Sequence, residues 1–341
     1  MAGFDFPIGV PRAYAEKAGF GRFPDMLLCL GAGSWADFYN PAESPDEISL
    51  WRPFYPRAPG GTRKQQLVDA LGLHSAAQLL RLCDRATNSR GSACEIFWTL
   101  GAKQVGRAAI HGWRNLLAPA VRDGLISIWP FDGDLDVLLG SGKITVLEAY
   151  PAETYGHLGL PQGFGKEDRE RRRNQASPIL SWCQQNGVVC RADLSADIED
   201  GFGAGDDAFD AVVGLFGLIE AVNNPTRCVL PQDSTVQNIE GWTLGTNPAA
   251  ICQQSISMRG HRATRPVVSE SLRESRTPGA GSKTERGRLC PACQTKKFAR
   301  WPWAGTVMQH TTVLVFRATR LKSENGRTVN VISTSAERGR I

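Results

Sequence analysis

The amino-acid sequence changes its character after Thr246, and this change limits how much of the chain can build a packed core. Residues 255–289 are dominated by Ser, Arg, Thr, Gly and Pro, and no sustained apolar period runs through them. A segment of that composition buries too little apolar surface to offset the entropy of ordering it. We therefore predict one folded domain over residues 1–246, followed by a basic tail of low order over residues 247–341.

Charge divides at the same boundary. The tail holds 17 Lys and Arg against 5 Asp and Glu, whereas residues 1–246 hold 22 against 29. A basic tail can bind nucleic acid through phosphate contacts that release counterions. The same composition is also typical of a solvated segment that binds nothing. Both interpretations stay open, and nucleic acid is the partner that the charge suggests.

Composition also bears on the compartment. No stretch of about 18 or more apolar residues occurs, so the sequence predicts no transmembrane helix and no membrane partner. The opening residues, MAGFDFPIGV, lack a basic segment followed by an apolar one, which argues against a secretory signal. The nine cysteines are scattered and odd in number, as expected of reduced thiols. We therefore expect a cytoplasmic protein.

Helix and strand patterns can be assigned along the predicted domain. Apolar residues at helical spacing over residues 205–222 give the clearest helix, and Asp206 is the expected cap. Strands are predicted at residues 3–6, 125–131 and 143–150. Further helices are predicted at residues 11–19, 24–31, 62–71, 75–85, 101–123, 134–139 and 166–185.

Acidic residues stand at three places where a metal site would need them. Asp5 lies between two phenylalanines in an apolar strand, where a carboxylate is costly to bury unless it is paired or bound to a cation. Glu148 follows the apolar residues of the third predicted strand. Asp207 and Asp210 lie three residues apart at the start of the clearest helix, so both carboxylates can point the same way.

These carboxylates suit a hard divalent cation. Mg²⁺ and Mn²⁺ prefer oxygen ligands, and two such ions about 3.5–4 Å apart can hold a phosphodiester and activate water. Each acid also has a simpler explanation. Asp5 would hold the turn after its strand, Glu148 would pair with an arginine, and Asp207 would favour the positive end of the helix dipole. Asp210 is harder to explain in this way, because it stands among apolar neighbours.

The motifs, taken in order, resemble one known family. GFDFPIG at residues 3–9, EAYPAE at 148–153, DDAFDA at 206–211 and EGW at 240–242 are similar to segments of the predicted RNase H-like nuclease family once labelled domain of unknown function four-two-nine. The match spans roughly residues 3–245. The order and spacing of the motifs make the resemblance more specific than any one motif.

The resemblance implies an α/β domain of the RNase H-like kind, with a mixed sheet flanked by helices and an acidic site for Mg²⁺ or Mn²⁺. It also implies that Asp5, Glu148, Asp207 and Asp210 are the catalytic and metal-binding residues. RNase H-like domains usually open with a strand that carries a first catalytic aspartate, whereas here two residues precede the strand with Asp5. We therefore expect a domain shortened at its N-terminus, without that first strand and its acid.

Two functions follow as alternatives. One is a metal-dependent, nuclease-like hydrolase of phosphodiester bonds. The other is a catalytically inactive RNase H-like remnant that binds nucleic acid or protein, which the missing first acid favours. A binding module should hold nucleic acid equally well in EDTA, and this separates the two.

Three weaker signals have two interpretations each. Cys290 and Cys293 are half of a zinc site or two incidental thiols. Trp301 and Trp303, beside basic residues, would stack on bases or form an apolar spot in the tail. Residues 166–173 would track a phosphate backbone or form a solvated helix face.

Overall fold

The computed structural model describes residues 1–100, 105–224, 228–251, 317–322 and 328–333. Within them the structure is a mixed α/β fold in which a small parallel sheet is flanked by helices. The cysteines at 290 and 293, the tryptophans at 301 and 303 and most of the predicted tail lie outside the described residues.

The central sheet has three strands, β1 (Ala2–Phe4), β2 (Ile126–Ile128) and β3 (Ile144–Glu148), in the order β1-β3-β2. Both outer strands run parallel to β3, and Phe4 of β1 pairs with Glu148 of β3. The last four residues of β3 are buried, as expected of a central parallel strand covered on both faces. Parallel strands end at one edge of a sheet, so residues that follow β1 and β3 become neighbours.

All three strands occur where the sequence predicts them, but each is shorter than predicted. The strand predicted at residues 3–6 ends at Phe4, so Asp5 lies just beyond it. The strand predicted at residues 125–131 ends at Ile128, whose N–H donates to the Asp132 carboxylate at 2.8 Å. That bond turns the chain away from the sheet.

The described residues contain eleven α-helices, and two π-helical segments, one of which, Trp113–Leu117, joins the fourth helix to the fifth. Within the described part of the chain, no helix has both the length and the apolar character that a membrane span requires. The helices are α1 (Arg12–Ala18), α2 (Phe23–Cys29), α3 (Lys64–Ala70), α4 (Val105–Gly112), α5 (Ala118–Arg122), α6 (Leu135–Leu139), α7 (Pro151–His157), α8 (Arg169–Arg173), α9 (Ala176–Gln185), α10 (Ala192–Glu199) and α11 (Asp206–Asn223).

Three details of the helix predictions are wrong. The helix predicted at residues 75–85 is instead two short 3-10 turns, because Arg81 and Asp84 turn into the core and pair there. The helix predicted at residues 166–185 is divided into α8 and α9. Asp206 does not cap α11, since Gly205 is the N-cap and no side chain bonds to the first turn.

Aromatic side chains fill the core beside the sheet. The Trp113 ring lies 5.0 Å from that of Phe23 and 6.3 Å from those of Phe38 and Phe54, measured between centroids. The indole N–H of Trp113 donates to the Pro7 carbonyl at 2.7 Å, which satisfies its one buried polar group. This bond ties the loop after β1 to the core.

The backbone of the loop after β1 passes directly against the backbone of residues 240–241. A Cβ at Gly9 would stand 2.0 Å from the Glu240 carbonyl oxygen, and one at Gly241 would stand 2.2 Å from the Ile8 carbonyl oxygen. Both glycines have a positive φ, 133° and 71°, which side chains rarely tolerate. Glycine is therefore required on both sides of this crossing, which fixes the position of the loop.

A second sheet joins the domain to the described part of the tail. It contains β4 (Val188–Val189), β5 (Arg317–Lys322) and β6 (Thr328–Ser333), in the order β4-β6-β5. The strand β6 runs parallel to β4 and antiparallel to β5. Two short segments of the predicted low-order tail are thus strands in the structure.

Candidate functional site

The predicted acids meet at the carboxyl edge of the central sheet. Asp5 follows β1 directly and Glu148 is the last residue of β3, so the pairing of these strands makes them neighbours. Helix α11 packs on β1 and on α7, and its first turns carry Asp207 and Asp210. The charges of Glu148, Asp207 and Asp210 all act on the carboxyl group of Asp5. Segments far apart in the sequence therefore bring four acids into one region.

Asp5 is the acid whose ionisation is most affected. Burial among protein atoms, and to a lesser extent the charge of Asp210, raises the pKa of Asp5 to about 7, although the charge of Lys166 lowers it. By accessible area, however, Asp5 is exposed. Many protein atoms therefore surround this carboxyl group, while water still reaches it. Because its side chain is exposed to solvent, an ion can reach Asp5.

Asp210 lies deeper and already has two partners. Its side chain is 15% exposed and forms an ion pair with Lys166. The Tyr155 hydroxyl donates to its other oxygen at 3.3 Å. Burial raises the pKa of Asp210, and Lys166 opposes that increase. The Lys166 ammonium group therefore supplies positive charge where a metal ion would supply it.

Asp207 lies at the rim of the same region. Its side chain is exposed and forms no hydrogen bond or ion pair with the described residues. Its place in the first turn of α11 is also favourable to the helix dipole. We call Asp5, Asp207 and Asp210 together the acidic cleft.

Glu148 is buried, and both of its carboxylate oxygens accept hydrogen bonds from the protein. Arg81 donates to both of its oxygens, at 2.7 and 2.8 Å. The Ile8 N–H donates at 2.7 Å and the Thr243 hydroxyl at 3.0 Å. Glu148 is 6% exposed. The structure thus contains the arginine pairing that the sequence left open for this residue.

The arginine that holds Glu148 was not recognised in the sequence. Arg81 is fully buried and also donates twice to Asp84, at 2.8 and 2.9 Å. The guanidinium group donates to both carboxylates, which satisfies its N–H groups and offsets one of their two negative charges. The available signal was an arginine and an aspartate three residues apart within an otherwise apolar stretch, LLRLCD.

Lys166 was also missed as a site residue, because it was assigned to a charged helix face. The structure places it before α8, with its side chain at the acidic cleft. In the helix itself, Arg172 is buried and donates to the carbonyls of Gly201 and Phe202 at 2.9 and 3.2 Å. Its neighbours Arg171 and Arg173 are exposed. The charged run is therefore partly structural and only partly a solvated face.

The acidic cleft fits a divalent cation in part. Within the described ranges, no three His, Cys, Asp or Glu side chains are grouped as a ready ligand set for one ion. Mg²⁺ commonly needs fewer, since one or two carboxylates suffice when waters and substrate phosphates complete its coordination. Asp5 and Asp210 can supply those two carboxylates, whereas the oxygens of Glu148 are already occupied.

Comparison of the chain with protein-family models, with curated proteins and with solved structures found no match.

Proposed function

We propose that the acidic cleft binds Mg²⁺ or Mn²⁺ and that the protein is a nuclease-like hydrolase of phosphodiester bonds, with an RNase H-like fold. The observation that carries the proposal is that Asp5 lies within electrostatic reach of Asp210 and Asp207, while Lys166 forms an ion pair with Asp210 alone. An excess of negative charge in an accessible cleft attracts a cation. Acids at the ends of adjacent parallel strands, beside a long helix, support the fold assignment.

Each residue of the cleft has a distinct part in this proposal. Asp5 and Asp210 would hold the cation, with Asp207 beside them. A cation bound there supplies charge neutralisation for the phosphodiester and acidifies a water molecule. Tyr155 orients Asp210 through its hydroxyl group. Lys166 would release Asp210 and bind a phosphate oxygen, because an ammonium group suits phosphate as a point charge.

Glu148 is a positioning residue in this scheme. Its bond from the Ile8 N–H fixes the loop that follows β1, and Asp5 lies at the start of that loop. Arg81 holds Glu148 in turn. The pair therefore acts on the cleft through the backbone and does not contact the substrate.

The test is calorimetric titration of Mn²⁺ into the full chain and into the double variant Asp207→Asn/Asp210→Asn. We expect saturable binding to the parent and at least a tenfold loss of affinity in the variant, because the amides remove two negative charges. The matched control is Asp123→Asn/Asp197→Asn, which neutralises two exposed acids outside the cleft and should bind as the parent does.

Cleavage completes this test. Given binding, DNA and RNA should be cut in Mn²⁺ by the parent and by the control, and not by the double variant. If a folded parent binds no Mn²⁺, or if the double variant binds and cleaves as the parent does, the proposal is wrong.

A second candidate is a non-catalytic module that binds nucleic acid or protein. One observation favours it. Arg81 forms an ion pair with Glu148 and Lys166 forms one with Asp210, so these two acids are neutralised in part without a metal ion. Such a module should bind nucleic acid with the same affinity in EDTA and in Mg²⁺, and its affinity should fall steeply with salt. Binding that needs the metal would exclude this candidate.

A further inference from the structure

An open cavity of about 240 Å³ lies on a different part of the fold from the acidic cleft. The segment after α2 forms one wall, and the π-helical segment with α5 forms the other. Two arginines, a tyrosine and Asn40 contribute its polar side chains, and its lining includes no acidic residue. We call it the arginine pocket, after Tyr39, Arg114 and Arg122.

The two arginines have no acidic partner in the described parts of the chain. Both are exposed, and neither forms an ion pair or a side-chain hydrogen bond with the described residues. The Arg114 guanidinium lies 6.0 Å from the centre of the Tyr39 ring. Arg114 and Arg122 stand eight residues apart on one helical run, so both reach the same cavity. Two guanidinium groups of like charge thus border one small space.

Tyr39 provides an independent observation that points to a ligand. Its side chain is 5% exposed, and its hydroxyl group is buried without a hydrogen-bond partner among the described residues. Burial raises the pKa of this hydroxyl, and the charges of Arg114 and Arg122 oppose the increase, so both arginines lie near it. A buried hydroxyl without a partner is costly, and such groups are rare in folded proteins.

We propose that the arginine pocket binds the phosphate group of a small phosphomonoester or inorganic phosphate itself. Two guanidinium groups match the charge of a dianion, and each can form bidentate hydrogen bonds to its oxygens. Tyr39 lines the same pocket, and a small shift of its side chain would let the buried hydroxyl gain the acceptor that it lacks. The cavity is smaller than the roughly 300–1,000 Å³ of typical ligand sites, so it suits a small ligand such as a phosphate or a short phosphomonoester.

The experiment is titration of inorganic phosphate and of glycerol 3-phosphate into the full chain in EDTA. Binding is measured by calorimetry and by the rise in melting temperature. We expect saturable binding to the parent. Arg114→Gln and Arg122→Gln should each weaken it by about tenfold or more, since each loses a charged hydrogen-bond donor. Lys143→Gln removes one exposed positive charge outside the pocket and should leave binding unchanged.

Tyr39→Phe separates a ligand-binding role from a structural one. Without phosphate this variant should melt at or above the temperature of the parent, because it deletes a buried hydroxyl that has no partner. With phosphate its gain in melting temperature should be smaller than the gain of the parent. A purely structural tyrosine would not change the response to phosphate.

The arms of the experiment also separate this pocket from the acidic cleft and from nucleic-acid binding. Asp207→Asn/Asp210→Asn should bind phosphate as the parent does, whatever that variant does with Mn²⁺. A short oligonucleotide without terminal phosphates should not compete. The proposal is overturned if phosphate does not bind, if the arginine variants bind equally well, or if the oligonucleotide competes through the same arginines.

Discussion

Replacing Asp5 by asparagine should stabilise the metal-free protein at neutral pH and leave it unchanged in acid. Asp5 forms no hydrogen bond or ion pair with the described residues, so the amide costs no contact there. Its pKa is raised to about 7 in the fold, against an ordinary value of 3.8. The folded protein therefore holds this proton more tightly than the unfolded chain. Between these two pKa values, stability falls as pH rises, and above about 7 the loss is complete.

The size of the gain follows from the same pKa. Each tenfold change in proton affinity is worth about 1.4 kcal/mol, so the ceiling is roughly 4 kcal/mol. Asp5 is exposed, and solvent screens its interactions, which reduces the expected gain to about 1–2 kcal/mol. In a domain of this length, such a gain raises Tm by roughly 2–8 °C.

The assay is urea unfolding of parent and Asp5→Asn in EDTA at pH 4 and at pH 8. The two proteins should differ far more at pH 8 than at pH 4, which lies close to the ordinary pKa of 3.8. Asp123→Asn, an exposed acid after α5, is the control and should shift stability at neither pH by more than a few tenths of a kcal/mol. Equal stability of parent and Asp5→Asn at pH 8, or a gain that is the same at both pH values, would refute the electrostatic argument.

Two further predictions concern buried groups. Arg81→Met leaves Glu148 unpaired in the core, and urea unfolding should show a loss of about 3–5 kcal/mol; a loss below about 1 kcal/mol would mean that the pair is not needed. The sulfurs of Cys183 and Cys190 lie 3.5 Å apart. Hydrogen peroxide should convert the two thiols to a disulfide with release of two waters, seen by peptide mapping as the loss of two hydrogens, while the exposed Cys29 should be absent from any internal crosslink.

The sequence predicted those helices and strands that are determined by the spacing of nearby apolar residues. The sequence predicted α11 almost to the residue, because apolar residues that recur at helical spacing over a long segment indicate a helix with one buried face. The three central strands were located for a similar reason, although not their order. The helix predicted at residues 75–85 was wrong because its polar residues, Arg81 and Asp84, are satisfied in the core by a tertiary network that propensity does not register.

The candidate site was predictable only in its acids. Apolar surroundings marked Asp5 and Asp210 as unusual, and the structure brings them within electrostatic reach of each other. The positive groups that determine what each acid can do come from elsewhere in the chain. Arg81 reaches Glu148 across 67 residues and Lys166 reaches Asp210 across 44, and no spacing rule covers such distances. A resemblance to a family can suggest ligands but not the residues that already occupy them.

The crossing of Gly9 and Gly241 has a consequence for how the chain assembles during synthesis. The Val10 N–H donates to the Ile239 carbonyl at 3.0 Å, and the Leu244 N–H donates to the Glu148 carbonyl at 2.9 Å. Strand β1 and the loop after it are therefore synthesised long before residues 239–244, which pack against them, leave the ribosome. Pairing between such distant segments is slow and leaves unsatisfied edges exposed in the meantime. A nascent chain that stops short of residue 240 would carry its acids on an open, aggregation-prone sheet.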